Sequence, residues 1–218
     1  MIKKAAFLRY AKKEKAKGIN RHAQVVTLLL VFIFVSSCAT LQVSALKLNQ
    51  PKEALTHFEA AAAQDPNYTT RFTLLTTGIW TYVGRAYYEI GEKEKALASL
   101  KRAKDSSSDD YVGRIYLGLV MAQTGNNREG KAELEAGLKG LAVWLESLPG
   151  TGLEGELWDP GQRIANGISE LLKMVQVERP DWQGIANNVE WLGMELEEEI
   201  ENVKDDKARQ KGDGGDGD

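Results

Sequence analysis

Between residues 80 and 140 the chain repeats itself at an interval of 34 residues, and no other feature limits its fold so tightly. Val83-Gly84 returns as Leu117-Gly118, Gly91 as Gly125, and Ala96, Leu100 and Ala103 as Gly130, Leu134 and Gly137. The small or large character is kept at each place. A fixed period of roughly 20–50 residues marks stacked supersecondary units, none of which buries its apolar face alone. The residue types fit pairs of antiparallel helices. Gly84, Gly118, Ala54 and Ala96 remove bulk where two helices approach, while Tyr87, Phe58 and Leu100 fill the adjacent gaps. Gly91 and Gly125 fall where a helix ends in the left-handed conformation that glycine accepts.

The rest of the composition agrees with a helical chain. Ala, Leu, Glu and Lys dominate the middle, and Val and Ile fall in helical spacing instead of alternating as in a strand. No segment reads as a strand, so an all-α protein is expected. With 43% hydrophobic residues the chain has enough apolar material for one real core.

The repeat resembles the tetratricopeptide (TPR) family. Trp80-Thr81-Tyr82-Val83-Gly84-Arg85-Ala86-Tyr87 follows the opening W-x2-L-G-x2-Y, with Val83 in place of Leu. Ala96, Leu100 and Ala103 follow A-x3-F-x2-A, with Leu replacing Phe and Ser108 standing where proline is expected. Ala54, Phe58, Ala61 and Pro66 carry the second half of an earlier repeat, whose first helix would fall within residues 39–49. Residues 69–76 separate that repeat from the next. The resemblance implies a TPR-type stack of helical hairpins over 38–148, in three repeats at 39–68, 77–110 and 111–148. Its packing positions are Ala54, Phe58, Ala61, Pro66, Trp80, Gly84, Tyr87, Ala96, Leu100, Ala103, Gly118 and Leu134.

The N-terminus reads as an address. Residues 1–22 carry eight basic side chains and one acid, and the largely apolar run Val25–Val35 follows. That run is too short to cross a bilayer, which takes about 20 apolar residues, and basic-then-apolar order is that of a secretory signal peptide. The basic stretch is long for a leader, which points to a start codon downstream of Met1. Val35-Ser36-Ser37-Cys38 resembles the bacterial lipobox. This resemblance implies cleavage of residues 1–37 and lipidation of Cys38 with diacylglycerol and palmitate-type chains. Two or more acyl chains give stable anchoring. Ala39, not Asp, follows the cysteine, which by the enteric sorting rule implies the outer membrane, facing the periplasm. The alternatives for the same segment are an uncleaved inner-membrane anchor and a catalytic pairing of Cys38 with His57.

The C-terminal third has helical stripes but no repeat consensus. Leu134, Leu138, Leu141, Trp144 and Leu148 extend one helix beyond the repeat's needs, and Pro149-Gly150 breaks it. Asp159-Pro160 reads as an N-cap with proline at the first helical position, followed by Ile164, Ile168, Leu171 and Val175. Asp181 reads as the cap of a last helix striped by Ile185, Val189, Leu192, Leu196, Ile200 and Val203. Residues 149–204 are therefore expected to be a non-TPR helical capping pair. Trp158, Trp182 and Trp191 are expected to pack there, or alternatively to bind a ligand. Glu195, Glu197, Glu198, Glu199 and Glu201 read as a solvated helix face, or as a contact for a basic partner. Residues 205–218, ending in Gly and Asp alone, are expected to be disordered.

Of the 28 basic and 31 acidic residues, 20 and 30 remain beyond residue 22. An acidic domain of that kind repels nucleic acid, whose binding requires clustered Lys and Arg. The single cysteine excludes an intrachain disulfide. No nucleophile, zinc or phosphate-loop pattern occurs, and the Asp/Gly tail lacks the glutamate a calcium loop needs. No enzyme activity, cofactor or metal is expected.

What remains is binding. Family groove positions fall on Gly78, Thr81, Arg85, Tyr88 and Glu89 in the second repeat, and on Val112, Ile115, Leu119, Ala122 and Gln123 in the third. The third set is too apolar to stay in water. Either a partner's segment or the chain's own C-terminal helices must cover it, and self-capping is preferred. The expected function is a membrane-anchored scaffold or assembly factor with a protein partner in the cell envelope. The alternative is a periplasmic accessory or ligand-binding subunit of a transport or export system.

Overall fold

The computed structural model describes residues 50–72, 75–148 and 158–213, with side chains through Arg209. Among these residues seven helices and one β-hairpin occur, so the fold is mostly helical.

Helix α1 (Pro51–Gln64) starts on a proline, which needs no amide partner there, and buries Ala54, Phe58 and Ala62, four residues apart on one face. A hairpin follows. Strand β1 (Thr69–Phe72) pairs antiparallel with β2 (Leu75–Gly78), Thr69 opposite Gly78 and Phe72 opposite Leu75. This corrects the expectation of no strands. Tyr68, the threonines and Phe72 favour extended backbone, and all of β2 is buried, packing on helices described next.

Helix α2 (Ile79–Glu89) leads straight out of β2 and turns at Gly91, φ +83°, into α3 (Lys93–Ser106). Helix α4 (Tyr111–Gln123) turns at Gly125, φ +99°, into α5 (Asn127–Glu146). Two hydrogen bonds recur in both connections. Glu92 N donates to Tyr87 O at 2.9 Å and Gly91 N to Tyr88 O at 3.0 Å; 34 residues on, Asn126 N donates to Met121 O at 2.9 Å and Gly125 N to Ala122 O at 3.2 Å.

The helix crossings recur at the same offset. A Cβ placed on Gly84 would stand 2.5 Å from Leu100 Cγ. One placed on Gly118 would meet the backbone of Leu134 and stand 2.6 Å from Gly130 O. The second crossing is closer because Gly130 replaces Ala96, so backbone lies on backbone. Helix α3 packs on α4, and α2 on both α1 and α4. The Phe58 and Tyr82 rings stack at 5.3 Å between α1 and α2, and Tyr87 Oη donates to Glu59.

Helix α4 is the centre of the core, with Ile115, Tyr116, Leu117, Leu119 and Val120 all nearly sealed from solvent. Helix α6 (Arg163–Gln176) lies against α5 and buries Ile164, Ile168, Leu171 and Val175. Helix α7 (Trp182–Asp213) packs on α6 and also on α4. Asp181 Oδ1 accepts from Gln183 N at 3.1 Å at its start.

Two boundaries differ from expectation. Helix α6 begins at Arg163, three residues after Pro160, because Asp159 to Gln162 first closes a turn with Gln162 N on Asp159 O at 2.9 Å. Asp159, φ 48°, still caps the helix from there, its carboxylate accepting from Ile164 N and Ala165 N at 3.1 and 2.9 Å. Helix α7 runs to Asp213, past residue 205, carried by good helix formers and an Asp206–Arg209 pair at 3.5 Å. Residues 214–218 lie outside the described residues, as do the leader, the Val35, Ser36, Ser37 and Cys38 motif, and the helix expected within 39–49. Among the described residues no helix is long and apolar enough to cross a membrane.

Candidate binding cleft

Three helices build one polar site. On α2, Tyr88 and Glu89 lie three and four residues after Arg85 and share its face. On α4, Tyr116 and Gln123 share another. Across from both, α7 presents Glu190, Met194 and Glu197, again four and three apart. Gly193 lets α7 come this close. A Cβ there would stand 2.6 Å from Tyr116 Oη and 3.1 Å from Arg85 Nη2.

The close approach seats a buried ion pair. Arg85 Nη1 donates to Glu197 Oε1, with the two residues only 3% and 7% exposed. The Arg85 guanidinium lies 5.0 Å from the centre of the Tyr116 ring. Burial alone would discharge it, but Glu197, Tyr116 and Glu89 together hold its pKa above the ordinary arginine value. Arg85 Nε and Glu197 Oε2 are buried without a hydrogen-bond partner. Such a pair is costly to desolvate and strongly destabilising to break. Tyr116 and Tyr82 titrate up at about 12, chiefly because they are buried.

Beside the pair opens a cleft of about 700 Å³, walled by Arg85, Tyr88, Glu89, Lys93 and Gln123 on one side and Trp182, Gln183, Glu190, Met194 and Glu197 of α7 on the other. Gln123 Nε2 donates to Tyr88 Oη at 3.2 Å across the α2–α4 seam. Glu89 is pushed up to about 7, first by desolvation at the cleft and then by Glu197 and Glu190, against the pull of Arg85.

A second buried carboxylate is structural. Asp110 is fully buried. Its Oδ1 accepts from Gly113 N at 2.8 Å, capping α4, and its Oδ2 accepts from Gly78 N at 2.8 Å and Thr81 Oγ1 at 2.7 Å. Burial raises its pKa, while those three donors pull the other way. One side chain thus ties the start of α4 to the start of α2.

Of the groove residues read from the sequence, Arg85, Tyr88, Glu89 and Gln123 line the cleft. The others do not. Thr81 is spent on Asp110. Val112, Ile115 and Leu119 are buried in the core, at 6%, 2% and 0% exposure, so they form no open groove. Ile115 and Ala122 turn toward α5, against Gly137 and Gly130. The α4 face that looks outward in an isolated hairpin is covered here by α7.

The packing positions fall as follows. Ala54, Phe58, Gly84, Ala96, Leu100, Ala103, Gly118 and Leu134 are buried; Ala61, Trp80 and Tyr87 are half-buried; Pro66 is exposed. Pro66 acts through its carbonyl, which accepts from Trp80 Nε1 at 2.9 Å, while Arg102 covers the Trp80 ring at 4.7 Å.

The sequence reading missed the α7 wall. Glu197 stood in a run of glutamates read as a solvated face, yet it is buried, Glu195 pairs with Arg163 at 2.7 Å, and Glu199 accepts from Asp159 N at 2.6 Å. The available signal was the spacing Val189, Gly193, Glu197, a helix line with a glycine gap ahead of a carboxylate. Trp158 is buried against Trp144 at 5.3 Å and Trp191 packs on Gly167, whereas Trp182 faces the cleft. His57 is exposed on α1. Among the described residues no cluster of His, Cys, Asp and Glu could hold a metal ion. Compared with protein-family models, curated proteins and solved structures, the chain matches none.

Proposed function

We propose that this chain is a lipid-anchored adaptor of the bacterial cell envelope, with a TPR-type domain that binds a protein partner and catalyses no reaction. The observation that carries this reading is the paired hairpins α2/α3 and α4/α5. Glycine turns, hydrogen bonds and helix crossings recur in them 34 residues apart. Arrays of this type present surfaces for other chains. The anchor is Cys38, reached by cleavage after Ser37, and the implied location is the outer membrane facing the periplasm. No cofactor or nucleic acid enters this role.

Two measurements test it. Photocrosslinking from surface positions of α3 and α5 in the native envelope should capture one envelope protein reproducibly, and an empty crosslink pattern would sink the adaptor role. Labelled palmitate should enter the wild-type chain and not Cys38→Ala; label and membrane retention in the variant would defeat the anchor.

A specific observation favours a second reading, a ligand-binding subunit of a transport or export system. Helix α7 walls one side of the cleft beside α2 and α4, and the cleft is of a size that suits a small molecule.

A further inference from the structure

We infer that the cleft between α2, α4 and α7 is a binding site for a small organic cation with alkylammonium groups. This rests on the second reading above, that the cleft takes a small molecule, and adds the chemistry of that molecule.

The charge balance decides the sign. Three acids, Glu89 on the α2 wall and Glu190 and Glu197 on the α7 wall, line the cleft with two bases, Arg85 and Lys93. Arg85 has its charge matched by Glu197 and its face covered by Tyr116, and its one unpartnered donor, Nε, offers a single N–H, so it is a poor anchor for an anion. That leaves Glu89 and Glu190 against Lys93, a wall with more acid than base. Glu197 is nine-tenths buried at the cleft, and its Oε2 has no hydrogen-bond partner. An ammonium group offers three N–H donors and one positive charge, which is what such a set of oxygens lacks.

The remaining wall fits the body of such a ligand. Trp182 and Tyr88 supply aromatic rings, which attract ammonium groups to their faces. Met194, half exposed, offers an apolar contact for methylenes. A cleft of about 700 Å³ is within the size range of small-molecule sites.

The test is calorimetric titration of the full-length chain in detergent with 1,4-diaminobutane, and in parallel with 1,4-butanediol and succinate, which match its length without its charge. The diamine should bind at one site, and the diol and diacid should not. Glu190→Gln removes an exposed charge from the wall without touching the core, and should weaken the diamine roughly fivefold, as for an exposed ion pair. Circular dichroism checks that this variant folds. Binding of succinate or the diol in place of the diamine overturns the cationic ligand and leaves the cleft reading standing. Silence from all three ligands overturns both. Diamine binding that is unchanged in both Glu190→Gln and Glu89→Gln places the cation elsewhere and overturns the assignment.

Discussion

Gly118→Ala and Gly84→Ala put the same methyl group at equivalent places in the two hairpins, yet the structure predicts unequal costs. In an isolated helix either change helps, because alanine is favoured over glycine by about 1 kcal/mol. Packing opposes that gain. At Gly84 the new methyl meets the side chain of Leu100, 2.5 Å from Cγ and 2.8 Å from Cδ2. A leucine can turn, though this one is fully buried, so overpacking of about 2 kcal/mol leaves a net loss near 1. At Gly118 the methyl meets backbone: Leu134 N, Gly130 O at 2.6 Å and Leu134 Cα at 2.7 Å. No rotamer relieves that. Ordinary contact begins near 3.4 Å, so α4 and α5 must part by most of an ångström along a seam of sealed leucines. We expect a net loss of about 3 kcal/mol, or roughly 6–12 °C in Tm for a domain of this size. Thermal and urea unfolding followed by far-ultraviolet circular dichroism would measure both. If Gly118→Ala proves no less stable than Gly84→Ala, the backbone-on-backbone crossing of α4 and α5 is refuted.

Asp110→Ala should cost about 4 kcal/mol in urea unfolding, because Gly78 N, Gly113 N and Thr81 Oγ1 would lose their shared acceptor in a buried place. Asp110→Asn should recover only about half of that, since its amide nitrogen must face a donor on one side. Stability should also fall as pH rises from about 4.5 to about 7. Glu89 holds its proton more tightly folded than unfolded in that interval, so the folded state binds more protons and loses ground as they leave, with the deficit complete above pH 7. The groups that face Glu89 are Arg85, Glu190 and Glu197; solvent around its side chain keeps the effect modest. Glu89→Gln should flatten that slope in unfolding curves taken across the interval, and an unchanged slope would show that Glu89 does not cause it.

The sequence was most readable where local rules and packing agree. Gly91 and Gly125 announced the helix turns because positive φ leaves few other choices. The stripes on α6 and α7 were legible because burial on one face imposes a helical period. The β-hairpin was missed because four-residue strands show too little alternation to register, and β2 is buried on every residue, which erases the pattern. The cleft was half visible. Arg85, Tyr88, Glu89 and Gln123 lie on repeat positions, but their opposite wall comes from α7, where Glu197 is 112 residues from Arg85 in the chain. The only local mark on Glu197 is its place in line with Val189 and Gly193; what buries it is the docking of α7 on α2 and α4.

That docking is the claim on which the cleft and the covered α4 face both depend, and a double-mutant cycle between Arg85 and Glu197 tests it directly. Arg85→Met or Glu197→Met alone strands a buried charge and should each cost about 3–5 kcal/mol in urea unfolding, while the double variant replaces both charges with apolar groups and should cost less than either. The predicted coupling is about 3 kcal/mol or more; costs that simply add, within about 0.5 kcal/mol, would mean the two side chains never meet and α7 does not lie where the structure puts it.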